Sequence, residues 1–121
     1  MLEIKLPWPH KSLFPNAKGG RHWGSFQVQK AQARNTGFML TKSVLGVHEF
    51  GVLKRVPLRI TFYAPDRRRR DVDGMHGAIK HHLDGIAQAL GVDDSIFRPV
   101  VLDVGLDPER LGFVLAEVGH A

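Results

Sequence analysis

The chain has 121 residues, 43% of them hydrophobic and 24% charged, which predicts one globular domain over residues 1–121. It has no cysteine, no secretion signal and no apolar run near the ~20 residues that span a bilayer. These absences argue against a disulfide framework, a thiolate metal site and a membrane partner, so we expect a cytoplasmic protein. The 17 Lys and Arg exceed the 12 Asp and Glu by five charges, which favours a polyanionic partner such as nucleic acid.

The first half of the chain predicts a strand, a loop and a helix. A short strand is expected over Glu3–Leu6, where two prolines end it. The Pro-, Gly- and Lys-rich stretch His10–Trp23 predicts a loop. Apolar residues at three- to four-residue spacing then predict a helix over Ser25–Leu45. Gly37 in the middle of that helix indicates a site of close packing, because glycine otherwise weakens a helix.

The second half predicts three strands and a second helix. Alternating apolar residues mark a strand over Val56–Tyr63, and an apolar stripe marks a helix over Gly74–Leu90. Val100–Gly105 and Phe113–Val118 complete the set, with the turn residues Asp107–Arg110 between them predicting a hairpin. The order β-α-β-α-β-β predicts an α+β domain of two layers, a mixed sheet with both helices packed on one face.

Three aspartates form a candidate metal site. Asp71 and Asp73 are two residues apart between strand and helix, so in an extended chain their side chains point the same way. Asp94 follows the helix and joins them if the chain folds back. Three carboxylates bind Mg²⁺ and leave positions for water and a phosphate, which suits metal-assisted hydrolysis. The alternatives are that Asp73 caps the helix and that Asp71 neutralises neighbouring arginines.

Basic residues flank these aspartates. The run directly before Asp71 consists of Arg67, Arg68, Arg69 and Arg70. Its self-repulsion is relieved by the flanking acids or by the phosphates of DNA, and a solvated charge run is the alternative. Lys80 on the predicted helix is a candidate to hold a phosphate or stabilise a leaving oxygen. Its alternative is a surface ion pair with Asp84 four residues on.

The seven histidines do not indicate a zinc site. His76, His81 and His82 cluster on the second predicted helix, but their spacing matches no zinc motif and no cysteine accompanies them. For these three histidines we expect phosphate contacts or plain surface positions.

The chain resembles the RusA family of Holliday junction resolvases over most of its length. The family's pattern is a basic run, Asp-x-Asp, a helix carrying a lysine, and a final Asp-Asp pair. The residues that match it in order are Arg67–Arg70, Asp71, Asp73, Lys80 and Asp93–Asp94. The stretches that resemble the family's usual opening are Leu6–Pro9, Phe14–Asn16 and His22–Trp23. Gly74 departs from the pattern, because the family usually has Asn there, and the spacing from Asp73 to Lys80 is that of a longer-spaced branch.

The resemblance implies a Mg²⁺-dependent endonuclease, with Mn²⁺ as a second possible metal, that resolves four-way DNA junctions by paired symmetric nicks in recombination and repair. It implies that Asp71, Asp73 and Asp94 bind the metal, that Lys80 is the catalytic lysine and that Arg70 contacts DNA. It also implies a homodimer, whose two sites share the two-fold symmetry of the junction. No small-molecule cofactor is expected, and DNA binding would place the protein at the nucleoid.

Further contacts to branched DNA are expected from basic residues of the predicted loop, namely Lys11, Lys18, Arg21 and His22. A wedge role for Phe14 or Trp23 is the less favoured alternative to anchoring the loop on the core. Phe38 and Met39 are candidates for the dimer surface or for the monomer core. Two other functions stay open, a catalytically inactive junction-binding protein, which Gly74 favours, and a general metal-dependent nuclease.

Overall fold

The structure is a computed structural model that describes residues 1–14, 23–48, 50–51 and 54–119. The predicted α+β class is confirmed by a four-stranded mixed sheet and two long helices. The main elements in chain order are β1 (Leu2–Pro7), α1 (Trp23–Leu45), β2 (Val56–Ala64), α2 (Val72–Leu90), β3 (Phe97–Leu106) and β4 (Phe113–Val118). Short 3₁₀ turns lie at Lys11–Leu13 and Asp94–Ile96. Neither α1 nor α2 combines the length and apolar character needed to cross a lipid bilayer.

Alternation along β2 builds the centre of the core. Leu58, Ile60 and Phe62 point to one face of the sheet and are at most 1% exposed. Against them pack the apolar residues of α2, including Ile79 and Ile86, which are fully buried. Burying apolar surface stabilises the fold by about 25 cal/mol per Å², and this burial holds α2 on this face of the sheet.

The sheet order is β1-β4-β2-β3, which overturns the predicted hairpin between the last two strands. β3 runs parallel to β2, whereas β4 lies on the other side of β2 and is antiparallel to both β1 and β2. The connection crosses the end of β2, where the Asp107 N–H donates to the Ala64 carbonyl at 2.8 Å. The Asp107 carboxylate also accepts hydrogen bonds from the N–H groups of Glu109, Leu111 and Gly112. Turn residues specified the local reversal but not the partner strand.

The two helices cross with their backbones in contact, which confirms the close packing predicted at Gly37. A Cβ atom placed on Gly37 would run into the backbone carbonyl of His82. On α2, a Cβ atom on Gly85 would run into the carbonyl of Arg34 and lie 2.8 Å from the N atom of Phe38. Only glycine fits at these two positions, so the crossing is fixed by main-chain contact.

Candidate functional site

The segment that joins β2 to α2 lies beside the end of β3. A cleft of about 340 Å³ is lined by Ala64, Asp66 and Arg67–Arg70 on one side and by Val104–Leu106 on the other. The arginine segment just before α2 and the carboxyl end of β3 are therefore neighbours. A smaller cleft of about 160 Å³ continues toward Phe14 and Asp71.

Arg70 differs from the three arginines before it, because its guanidinium is already engaged. It forms an ion pair with the Asp66 carboxylate at 2.8 Å and donates to the carbonyl groups of Asp66 and Arg68. The guanidinium also lies 5.1 Å from the ring centroid of Trp8, a cation–π distance. The pKa of the Asp66 carboxyl is lowered mainly by the hydrogen bond that the Arg68 N–H donates to it. The hydrogen bond from the Arg70 side chain lowers this pKa further. Arg70 thus shapes the segment, and its predicted contact with DNA stays a prediction.

Trp8 is the aromatic support of this segment. Its ring stacks on Phe14 at 6.2 Å between centroids and meets Phe62 edge-on at 5.8 Å. Phe14 is partly buried and packs against the core, in line with an anchoring role rather than a wedge role. The arginine segment is therefore tied through Trp8 to the centre of the sheet.

Replacing Arg70 by alanine should destabilise the fold by about 1–2 kcal/mol, because one ion pair and a cation–π contact are lost from a half-buried side chain. Arg70→Lys should restore little of this, since an ammonium group cannot make the planar forked contacts. Urea unfolding measures the change, with Arg69→Ala as the exposed control. A free energy of unfolding equal to that of the wild type would contradict the assigned role.

The other three arginines are exposed. Among the described residues no ion pair involves Arg67, Arg68 or Arg69, so their charges face solvent beside the cleft. Lys11 is also exposed, on the 3₁₀ turn that follows β1. The remaining predicted DNA contacts, at Lys18, Arg21 and His22, lie outside the described residues.

Asp71 and Asp73 both lie exposed at the start of α2. The cap is Asp71, whose Oδ1 accepts the Gly74 N–H at 2.6 Å, so the alternative in which Asp73 caps the helix is wrong. Asp73 falls in the first helical turn. A Cβ atom on Gly74 would approach Asp71 Oδ1 to 3.0 Å, so any side chain at this position would press on the cap. Glycine at position 74 therefore leaves this carboxylate uncrowded.

Lys80 lies on the same face of α2 as Asp73. The positions of Asp73, Lys80 and Asp84 are seven and four residues apart, so the three side chains share one face of α2. No ion pair joins Lys80 to Asp84 in the described part of the chain, and Asp84 instead lies 3.8 Å from Nδ1 of His81. The alternative surface pair is thus not formed, and Lys80 is exposed.

Asp94 lies at the opposite end of α2 from the other two predicted ligands. Desolvation raises the pKa of the Asp94 carboxyl, and so does the proximity of the carboxyl groups of Asp93 and Asp84. Asp84 is eleven residues beyond Asp73, which is about 16 Å along a helix. One chain therefore brings Asp71 and Asp73 together but not Asp94. Across the described ranges, no group of three or more His, Asp or Glu side chains is arranged to hold a metal ion.

Of the three helical histidines, His82 contradicts the expected surface position. It is 3% exposed and lies where α1 crosses α2. Burial, with a smaller effect of His81, lowers its pKa from 6.5 to about 4. His76 is exposed, and His81 is half-buried with its pKa lowered by burial against the opposing charge of Asp84. Sequence reasoning also gave Asp84 no part in the site, although its spacing from Asp73 and Lys80 placed it on their face.

Comparison with known proteins gives a relative but no function. No protein-family model matches the chain. An uncharacterized protein of Xylella fastidiosa (strain Temecula1) is 38% identical over 106 residues, which cover 85% of this chain and 68% of that protein. Identity at this level over most of both chains shows common descent and a shared fold. The chain therefore belongs to the same family as this uncharacterized protein of Xylella fastidiosa.

Proposed function

We propose that the chain is a Mg²⁺-dependent DNA endonuclease that resolves four-way junctions by paired nicks, in recombination and repair. The observation that carries the proposal is the start of α2, where three exposed arginines, which form no ion pair with the described acidic side chains, come just before Arg70 and two exposed carboxylates. Phosphate-binding and cation-binding groups are thus adjacent in one short segment. The order of these residues resembles that of the RusA family.

Asp71 and Asp73 suit a hard cation. Mg²⁺ in nucleases and polymerases is held by one or two carboxylates, with waters and substrate phosphates completing its shell. The cap on α2 uses Oδ1 of Asp71, so Oδ2 is not needed for it. When bound, the ion would activate water and offset the charge that develops on the phosphate. The same oxygen ligands also suit Mn²⁺.

The basic side chains orient the DNA backbone. Arg67, Arg68 and Arg69 line or border the cleft and can hold phosphates on either side of the scissile one. Lys80 projects from the same face of α2 as Asp73, about two turns along, where it can stabilise the leaving oxygen. Arg70 keeps the segment in place through Asp66 and Trp8.

The test is cleavage of a labelled mobile four-way junction in Mg²⁺, in Mn²⁺ and in EDTA. Asp73→Asn should lower cleavage at least about 100-fold, the scale expected when a group that stabilises the transition state is lost. Junction binding should persist, because the arginines are untouched. Asp103→Asn, which removes an exposed carboxylate on β3, is the matched control and should cut like the wild type. Undiminished cutting by Asp73→Asn would contradict the proposed site.

A junction-binding protein without nuclease activity is the second candidate, favoured by the distance between Asp94 and the other two aspartates. It predicts tight junction binding by the wild type with no cuts in either metal. An assay on linear duplex of the same sequence distinguishes a general nuclease from both of these candidates. A general nuclease should cut the linear duplex as readily as the junction. The comparison must be made at equal salt, because phosphate contacts dominate affinity in every case.

A further inference from the structure

The charged side chains of α1 are all basic. No Asp or Glu occurs in the sequence between Glu3 and Glu49, a stretch that contains the whole helix. The helix itself carries Lys30, Arg34 and Lys42. Like charges four residues apart repel each other on a helix, as Lys30 and Arg34 do, and nothing on α1 compensates for this. A partner that relieves the repulsion has to come from outside the helix.

α1 and α2 run in the same direction. β1 and β2 are both antiparallel to β4 and therefore parallel to each other, and each is followed by one of the two helices. The contacts between the helices agree with this, since Gly37 meets His82 whereas Lys42, further along α1, lines a cleft with Gln88, further along α2. Lys30 precedes Gly37 by about two turns and therefore lies beside the first half of α2.

The seam between the two helices places two of these cations beside His81. The Arg34 carbonyl lies against Gly85 of α2, where the two backbones touch. His81 precedes Gly85 by one turn on α2, and Lys30 precedes Arg34 by one turn on α1. Because the helices run in the same direction, Lys30 and Arg34 both lie next to the His81 side chain. We call Lys30 and Arg34 the seam pair.

The seam pair adds to an excess of positive charge around His81. Burial lowers the pKa of His81, and the Asp84 carboxylate opposes that effect. The positive charges of Lys30, Arg34 and Lys80 lower the pKa further, so all three lie close to the ring. Within the described ranges, none of these three cations forms an ion pair with an acidic side chain. Nδ1 of His81 is buried without a hydrogen bond, 3.8 Å from Asp84 Oδ2.

We propose that the seam pair is a second phosphate-binding site, which holds the backbone of a DNA duplex arm against the outer side of the two helices. Two cations without acidic partners are complementary to the phosphates of that backbone. Lys80 lies between the seam pair and Asp73, and it is seven residues from Asp73, about 10 Å along α2. That distance corresponds to about three nucleotides of one strand. The DNA therefore continues from the arginine segment across α2 onto α1, a path that rests on the proposed function.

The face of the sheet that the helices leave uncovered is the competing surface, and it is not basic. Glu3, Asp103 and Glu117 lie there beside Lys5 and Arg59, on paired positions of the four strands. The Arg59 guanidinium is already engaged by the Asp103 carboxylate at 3.3 Å. This face would repel a polyanion, whereas the helix side would attract one.

The first test is binding of a fluorescent linear duplex and of a four-way junction in EDTA, so that no cleavage intervenes. Combining Lys30→Gln with Arg34→Gln should weaken binding of both DNAs about 10-fold or more at 0.1 M salt. The slope of log affinity against log salt should become shallower by about 2, because two phosphate contacts are lost. Combining Lys30→Arg with Arg34→Lys keeps both charges and should keep the wild-type slope.

The matched control combines Lys54→Gln with Arg98→Gln. It removes the same charge from exposed side chains near the amino ends of β2 and β3, away from the helix seam, and should bind DNA nearly as the wild type does. If the control and the Lys30→Gln, Arg34→Gln protein bound DNA equally well, the phosphate site on α1 would be overturned.

Thermal unfolding without DNA distinguishes a binding role from a structural one. The Lys30→Gln, Arg34→Gln protein should melt at or above the wild-type temperature, because the repulsion between the two cations is relieved and glutamine is a good helix former. A lower melting temperature together with an unchanged salt slope for DNA binding would mean that the two side chains only support the fold.

The second test locates the DNA on the helices. Because the chain has no cysteine, a single cysteine can carry an aryl azide that cross-links to DNA under light. On Ala31→Cys, an exposed position between Lys30 and Arg34, the azide should cross-link an end-labelled junction about three nucleotides from the phosphate that the wild type cuts in Mg²⁺. Val47→Cys, at a residue 96% exposed just beyond α1, should give little cross-linking. Cross-linking from Val47→Cys alone would overturn the proposed path.

The outcomes separate the two proposals. A wild type that cuts junctions, with a Lys30→Gln, Arg34→Gln protein that binds and cuts equally well, would overturn the site on α1 and leave the nuclease intact. A wild type that binds DNA through the seam pair but never cuts it would overturn the nuclease and support the site. A wild type that binds no DNA would overturn both.

Discussion

Replacing Gly85 by alanine should lower the melting temperature by about 10 °C or more, which corresponds to about 3 kcal/mol in a domain of this size. The added methyl group would run into the Arg34 carbonyl and the Phe38 amide of α1, both of them backbone atoms that no rotamer change can move. The gain in helix propensity, about 1 kcal/mol, is too small to offset the clash. Since a domain is stable by only about 5–15 kcal/mol, the loss is a large fraction of the total.

Thermal unfolding followed by circular dichroism measures this effect. Gly37→Ala should behave alike, because its methyl group would meet the His82 carbonyl from the other side of the same crossing. Gly51→Ala is the control, since a Cβ atom there meets no atom of the described residues within 4 Å. If Gly85→Ala melted with the wild type, the two helices would be farther apart than described.

Acidification from pH 6.5 to pH 4 should remove about 3 kcal/mol of stability through His82 alone. Burial lowers the pKa of this imidazole from 6.5 to about 4, so in that interval the unfolded chain binds a proton that the folded chain does not. The stabilisation is complete above pH 6.5 and is lost as the pH falls toward the folded-state pKa. Nδ1 of His82 is buried without a hydrogen-bond partner in the described structure, so the neutral ring is itself not fully satisfied.

His82→Leu should remove most of this acid sensitivity and cost little at pH 8, because it replaces a buried, unpaired nitrogen by apolar atoms. Urea unfolding at half-unit steps between pH 4 and pH 8 measures the slope. His76→Gln changes an exposed histidine of the same helix and serves as the control. Three carboxyl groups have a pKa that is lowered from the ordinary 3.8, so they change charge below this pH interval and do not contribute to the slope. They are Asp66, Asp93 and Asp107. A His82→Leu protein with the wild-type slope would contradict the assignment.

Periodicity in the sequence was enough to find most elements. The alternation through Leu58, Ile60 and Phe62 predicted β2, and the stripe through Ile79 and Ile86 predicted α2 to within two residues at its start. Both patterns arise because one face of each element is buried, and burial is what periodicity records. The glycine at position 37 carried tertiary information for the same reason, since a helix keeps glycine in its interior where something else must approach closely.

Strand partners and long-range contacts were beyond local patterns. Asp107 and its neighbours correctly predicted that the chain reverses direction after β3. They did not predict that β4 would pair with the edge of β2 that faces away from β3. Asp94 was expected beside Asp73, yet the length of α2 carries it to the other end of the helix. His82 shows the same limit, because its burial depends on where α1 crosses, and Gly85 nearby marks a close approach without showing which neighbouring side chain is buried by it.

The position of β4 has a consequence for how the chain acquires its fold. β4 lies between β1 and β2, so the first strand pairs with residues more than 100 positions later, as Leu2 does with Val118. During synthesis β1 therefore waits without a partner until residues 113–118 have left the ribosome. Such non-local pairing raises the contact order and slows folding. The nascent chain meanwhile exposes two apolar strand edges, of β1 and β2, and these are the surfaces most in need of a chaperone.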